Sequence, residues 1–226
     1  MQQTIFSILK EDYKIKKPIR LIEMFGGIGS QSAALRNLSK DFVNYKLIEI
    51  DNYCILSYNA IHGTNFQPQD ITKIKGEDLE IVEKDKYEYV LTYSFPCTDV
   101  SLAGKRLGMA KDSGTRSALL WEVERIMKEL KELNQLPQIL LMENVPQVIN
   151  NDFNKWQSFL ESIGYSNYTE ILNAKDYGIP QNRNRCFMVS ILGDYNYLFP
   201  PKQKLGLRLK DILEDEVDEK YYVKLS

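Results

Sequence analysis

One histidine and three cysteines in 226 residues remove several classes of chemistry at the outset. Cys54, Cys97 and Cys186 are too few and too scattered for a disulfide framework. No Cys or His pair has the spacing of zinc ligands, so a reducing cytoplasm and no structural metal are the expectation. His62 precedes Gly63, a helix-stop residue, and reads as an exposed helix end with no nearby group to activate. A Cys-His dyad is therefore not the favoured chemistry. No apolar run approaches the roughly 18 residues of a membrane span, and the N-terminus has no secretory pattern. Charge of one sign is also lacking: 29 basic residues face 31 acidic ones, for a net charge of −2. That balance excludes a uniformly basic nucleic-acid binder. The basic residues are nevertheless clustered, with Lys105, Arg106, Lys111 and Arg116 after Cys97, and Arg183 and Arg185 in a later loop. Residues 209–220 are mostly acidic. There is no internal repeat and no low-complexity linker.

What is present is an alternation of strand-like and helix-like segments. Strands are expected at 19–24, 45–50, 87–93, 138–142, 168–172 and 186–192, with a short one closing at Asp70 and Ile71. Helices are expected to open near Ser30 and to run over 53–61, 117–133 and 153–163, with Gly63 and Gly164 as stops. Short links between alternating elements imply an α/β fold, a doubly wound and mostly parallel sheet with helices on both faces. Three parts are expected: an extension over 1–18, a catalytic and cofactor-binding domain over 19–200, and an acidic segment over 201–226.

Six places in this pattern carry chemistry. Phe25-Gly26-Gly27-Ile28-Gly29 joins the first strand to its helix, where backbone can approach a ligand and free amides are available. Glu49 or Asp51, about 20 residues on, ends the second strand, where an acid can take ribose hydroxyls. Asp70 is placed to accept from an adenine amino group. Pro96 stiffens the turn after the fourth strand and holds Cys97 at the carboxyl edge of the sheet. Glu143 closes the next strand, where partial desolvation would raise its pKa and let it donate a proton. Arg183 and Arg185 alternate and so share a face on extended backbone; Arg185 could neutralise a thiolate or hold a carbonyl oxygen. Taken singly, each has an ordinary structural explanation: a buried small residue, a solvated acid, a surface ion pair.

In this order and spacing the motifs resemble the cytosine-C5 DNA methyltransferases, over roughly Arg20 to Asp218. The resemblance implies an S-adenosylmethionine-dependent, Rossmann-like fold. Phe25, Gly26, Gly27, Ile28 and Gly29 would form the cofactor loop. Glu49 with Ile50 would hold the ribose, Asp70 with Ile71 the adenine, and Pro96 would line the same site. Cys97 would be the nucleophile that adds to cytosine C6, and Glu143 of Glu143-Asn144-Val145 would protonate N3. Arg185 would hold O2, with Arg183 nearby. The loop 101–115 would close over DNA, with Ser101, Lys105, Arg106 and Arg116 at the nucleic acid and the target base flipped out of the duplex. The implied reaction is methyl transfer to C5 of cytosine in DNA, with S-adenosylhomocysteine as product, no metal and no membrane. A bacterial or phage-encoded cytoplasmic protein of a restriction-modification kind is the expected setting.

The chain departs from the family pattern in two places. Ser94, Thr98 and Asp99 stand where other residues are usual around the turn. The family's target-recognition domain and last motif have no counterpart in these residues. The expectation is a split subunit completed by a second polypeptide, or a truncated form, binding DNA weakly alone and prone to self-association. Two further readings stay open: methylation of cytosine in RNA, and a non-catalytic DNA- or cofactor-binding module.

Overall fold

The computed structural model describes residues 10–96, 116–149 and 151–222, and its centre is a six-stranded sheet. The strands are β1 (Glu11–Asp12), β2 (Ile19–Met24), β3 (Phe42–Ile48), β4 (Glu88–Tyr93), β5 (Ile139–Asn144), β6 (Tyr165–Asn173), β7 (Asn184–Leu192) and β8 (Tyr195–Asn196). The helices are α1 (Ser30–Asn37), α2 (Asn52–His62), α3 (Leu120–Glu132) and α4 (Asn151–Ser162). The main sheet runs β3-β2-β4-β5-β7-β6. Its first four strands are mutually parallel, and β7 is antiparallel to both of its neighbours. β1 and β8 form a separate parallel pair that ties the N-terminal segment to the end of the sheet.

Every residue of β4 is buried, as befits a central parallel strand covered on both faces. β5 alternates instead: Leu140, Met142 and Asn144 are buried, whereas Ile139, Leu141 and Glu143 are half-buried. The buried set joins a core built with α3 and α4. α3 supplies Leu120, Val123, Ile126, Met127 and Leu130 at helical spacing, each with no exposed surface. α4 adds Phe153, Trp156 and Leu160, and Trp156 Nε1 donates to the Tyr93 hydroxyl at 3.0 Å. The opposite face carries smaller clusters. One is Ile19, Leu21 and Val90 with Leu35 of α1; the other is Leu47, Ile55 and Tyr58 with Phe66.

The expected fold class holds, with local corrections. Asp70 and Ile71 do not close a strand. The Asp70 carboxylate accepts from the Thr72 amide at 3.0 Å and its hydroxyl at 2.8 Å, so the side chain caps a 3₁₀ turn over Ile71–Lys73. The second main-sheet strand stops at Ile48, leaving Glu49 just beyond it. β5 runs on to Asn144, so Glu143 is a strand residue. The helix expected over 117–133 opens as a 3₁₀ turn, Arg116–Leu119, before α3 begins. Residues 201–222 are exposed throughout. No helix among the described residues is long and apolar enough to cross a membrane.

Candidate active site

The link from β2 to α1 is built from left-handed backbone. Phe25 has φ 57°, Gly27 54° and Gly29 84°. For Phe25 this is an uncommon, strained conformation, held by its amide donating to the Ile48 carbonyl at 2.8 Å. At Gly26 a Cβ would lie 2.4 Å from Leu47 Cδ1, so the loop packs directly against β3. At Gly27 a Cβ would meet nothing within 4 Å, leaving the backbone open toward solvent space. Glu49 fixes the loop from the next strand. Its Oε2 accepts the Gly27 amide at 3.0 Å, and its Oε1 accepts the amides of Ile50 and Asp51 at 2.9 Å each. Hydrogen bonds to a charged acceptor are roughly twice as strong as neutral ones, so this single carboxylate orders two loops.

Two cavities open at this edge and share Phe25 and Ser94 as walls. The smaller, about 240 Å³, is lined by the acids Glu49 and Asp70, the apolar Ile50, Ile71 and Leu119, and Pro96. The Thr72 hydroxyl and amide hold the Asp70 carboxyl below the usual carboxylate range. The larger cavity, about 690 Å³, is bounded by Gly26, Gly27 and Ile28 on one side and by Glu143, Arg183 and Arg185 on the other.

The reversed direction of β7 explains the second group. An antiparallel strand begins where its neighbours end, so the residues entering β7 reach the edge that β4 and β5 leave. Asn144 pairs with Cys186 and Glu143 with Phe187 in the ladder. Arg185 Nε then meets Glu143 Oε1 at 2.9 Å, with the two side chains 22% and 25% exposed. The partly desolvated acid that was expected is, in the free chain, one half of an ion pair. Burial instead acts on the neighbouring thiol, pushing Cys186 up to about 11. Arg183 is exposed, and its amide donates to Asn173 Oδ1 at 3.2 Å.

The structure thus gathers Phe25, Glu49, Ile50, Asp70, Ile71 and Pro96 around one cavity. It gathers Gly26, Gly27, Ile28, Glu143, Arg183 and Arg185 around the other. Gly29 lies behind them as the residue preceding α1. Cys97, Ser101, Lys105 and Arg106 lie outside the described residues, and Arg116 begins the turn before α3. His62 corrects the expectation of an exposed position: it is half-buried beneath the glycine loop. Two further contributors were missed. Asn144, 3% exposed, donates Nδ2 to the Phe95 carbonyl at 3.0 Å and so fixes the turn that carries Pro96. Gln31 Nε2 reaches Ser94 Oγ at 3.5 Å between the two cavities. A buried amide at a strand end was the available signal for Asn144; for Gln31 the sequence offered none.

Comparison with known proteins follows the same edge. Residues 19–226 match the family described as C-5 cytosine-specific DNA methylase. Type II methyltransferase M2.ScrFI of Lactococcus lactis subsp. cremoris is 36% identical, over 91% of this chain and 70% of that protein. Orphan methyltransferase M.SssI of Spiroplasma monobiae is 33% identical, over 93% of this chain and 68% of that protein. Type II methyltransferase M.NlaX of Neisseria lactamica is 35% identical, and the chain spans 62% of its length. Among solved structures, the S. pombe Dnmt2 methyltransferase superposes with a TM-score of 0.71 over 92% of this chain and 64% of that one. At 24% identity that likeness speaks for the fold alone. A family match across nearly the whole chain, joined to relatives above 30% identity over nine-tenths of it, places this protein among the C-5 cytosine-specific DNA methylases.

Proposed function

We propose that the chain transfers a methyl group from S-adenosylmethionine to C5 of cytosine in DNA, through a covalent bond between Cys97 and cytosine C6. The observation that carries this reading is the pair of adjoining cavities, one walled by Glu49, Asp70 and Pro96, the other by the Glu143–Arg185 pair. The smaller cavity suits an adenosyl group. A carboxylate offers about four acceptor sites, so Glu49 can take a ribose hydroxyl while keeping its three amides. Asp70, ionised and at the rim, can accept from an adenine amino group, between the apolar walls of Phe25, Ile50 and Leu119. When bound, S-adenosylmethionine supplies an electrophilic methyl group carried on positive sulfur.

Cytosine C5 is a poor nucleophile by itself. The Cys97 thiolate adds to C6 and pushes the ring electrons toward C5, while N3 takes a proton. On this reading Arg185 turns from Glu143 to the cytosine O2, where negative charge develops, and Glu143, released from its cation, takes a proton from solvent and passes it to N3. Once C5 carries the methyl group, loss of its hydrogen as a proton and departure of the thiolate restore the C5–C6 double bond, and N3 returns its proton to Glu143. The loop after Cys97, with Ser101, Lys105, Arg106 and Arg116, contacts DNA phosphates. Residues 19–200 form the catalytic unit in this scheme. The choice of target sequence belongs to residues of the longer relatives that this chain does not match, supplied by a second polypeptide or by more of the same protein.

Trapping tests the reading. Duplex DNA carrying 5-fluorocytosine, incubated with the chain and S-adenosylmethionine, should give an adduct that survives denaturing electrophoresis, because fluorine cannot leave as the C5 proton does. Cys97→Ser should abolish it, and the same sequence as RNA should react less. A protein that binds S-adenosylmethionine yet gives no adduct in the presence of its partner polypeptide would be a binding module instead.

A further inference from the structure

We propose that His62 is a positioning residue for the glycine loop: its neutral imidazole holds the Ile28 carbonyl and thereby sets the loop conformation that accepts the cofactor. This rests on reading the loop as a cofactor site, and it assigns a role to a side chain that touches neither cofactor nor substrate.

The geometry fixes one protonation state. His62 Nε2 lies 3.0 Å from the Ile28 carbonyl oxygen, while Nδ1 lies 2.7 Å from Arg36 Nη2 and 3.1 Å from Ser32 Oγ. A carbonyl can only accept, so Nε2 carries the hydrogen. A guanidinium can only donate, so Nδ1 presents its lone pair. The neighbours therefore select a neutral imidazole with its proton on Nε2. The ring is also wedged in place. It rests on Tyr58 with centroids 4.5 Å apart, and Gly63 at φ 64° ends α2 immediately after it.

The loop fits against that ring closely. A Cβ at Gly29 would lie 2.3 Å from His62 Nε2 and 2.7 Å from Tyr58 Cε2, and Gly29 itself has φ 84°. The loop conformation and the imidazole position thus depend on each other. Above the ring, the same short loop offers the Gly27 amide to Glu49. His62 from below and Glu49 from the side hold consecutive residues of one turn.

The groups facing His62 among the described residues are Arg36 and Ser32 of α1, the Ile28 carbonyl and Tyr58 of its own helix. The ring thus joins α1, α2 and the glycine loop at one point, and removing its Nε2–H leaves the Ile28 carbonyl without that donor.

The test uses the full chain, with loop amides read by 15N NMR and S-adenosylmethionine affinity read by calorimetry. His62→Ala without cofactor should displace the Gly27 and Gly29 amide signals. Loss of one such contact corresponds to about tenfold in affinity, so the same variant should weaken binding by about that factor. His62→Gln places an amide nitrogen where Nε2 stood, and should restore most of the affinity and return the loop amides toward their wild-type positions. Loop amides unmoved in His62→Ala would overturn the proposal, as would His62→Ala binding within about twofold of wild type or a folded His62→Gln as weak as His62→Ala. If the wild type does not bind S-adenosylmethionine at all, the cofactor reading falls, and the loop amides still decide whether His62 sets the loop. Should His62→Ala fail to fold, His62→Leu, which fills the space without the donor, takes its place.

Discussion

On one face of the sheet α3 and α4 press Leu120, Val123, Met127, Trp156 and Leu160 into a core from which water is wholly excluded. On the other face α1 and α2 meet the sheet through a seam that includes Glu23, Ser32, Tyr58, His62 and Arg36. The first face is close-packed hydrocarbon with few polar groups: Trp156 donates to Tyr93, and the Tyr165 hydroxyl donates to the Pro137 carbonyl. The second holds a buried carboxyl whose Oε1 has no hydrogen-bond partner and whose pKa burial drives upward. Apolar packing supplies stability but little direction, whereas hydrogen bonds fix direction at a cost in desolvation. The glycine loop needs direction, and it lies on the polar side. The difference teaches that this fold separates what holds it together from what aims its site.

The separation can be broken by experiment. The largest stability effect is expected from Trp156→Ala, a loss of about 3–5 kcal/mol in urea unfolding. Protein that remains folded should bind S-adenosylmethionine with unchanged affinity, and a parallel loss of binding would show that the two faces are coupled. Next is Glu49→Ala, which removes three amide contacts at the partly open edge. Cofactor affinity should fall about 10- to 100-fold by calorimetry, with a much smaller change in the unfolding midpoint than Trp156→Ala produces. The smallest is Glu23→Gln. Because burial raises the Glu23 pKa above 4.5, the folded state favours the protonated acid. Its contribution is greatest below that ordinary value and is lost as pH rises through the shifted one. The glutamine variant should therefore gain on the wild type in thermal melting as pH is raised, and a constant difference across pH would refute the assignment.

Much of this arrangement was legible in the chain. The strand Ile19–Met24 and the α2 stop at Gly63 follow from apolar runs and a glycine punctuation mark that act locally. Phe25-Gly26-Gly27, Glu49, Pro96 and Glu143 lie at or just past the ends of strands, and parallel topology brings those ends to one edge. What escaped depends on contacts across the fold. Asp70 was expected to end a strand, but its carboxylate satisfies the Thr72 amide and hydroxyl, which favours a turn. Glu143 was expected as a partly desolvated proton donor; its ion pair was not foreseen, because Arg185 lies 42 positions along the chain and arrives only through the reversed β7. His62 was dismissed for want of a neighbour in sequence; its partners sit 26 to 34 residues away, on α1 and the glycine loop.

The strand order has a further consequence for how the protein is made. β5 is completed before β7, the strand that finally pairs along its free side, and β6 in turn can pair only with β7. During synthesis the segment Ile139-Leu140-Leu141-Met142 therefore stands as an unpaired, strongly apolar edge until residue 192 has left the ribosome. An exposed edge of that kind is a template for pairing with other chains. Nascent chains interrupted between β5 and β7 are the ones that should need a chaperone.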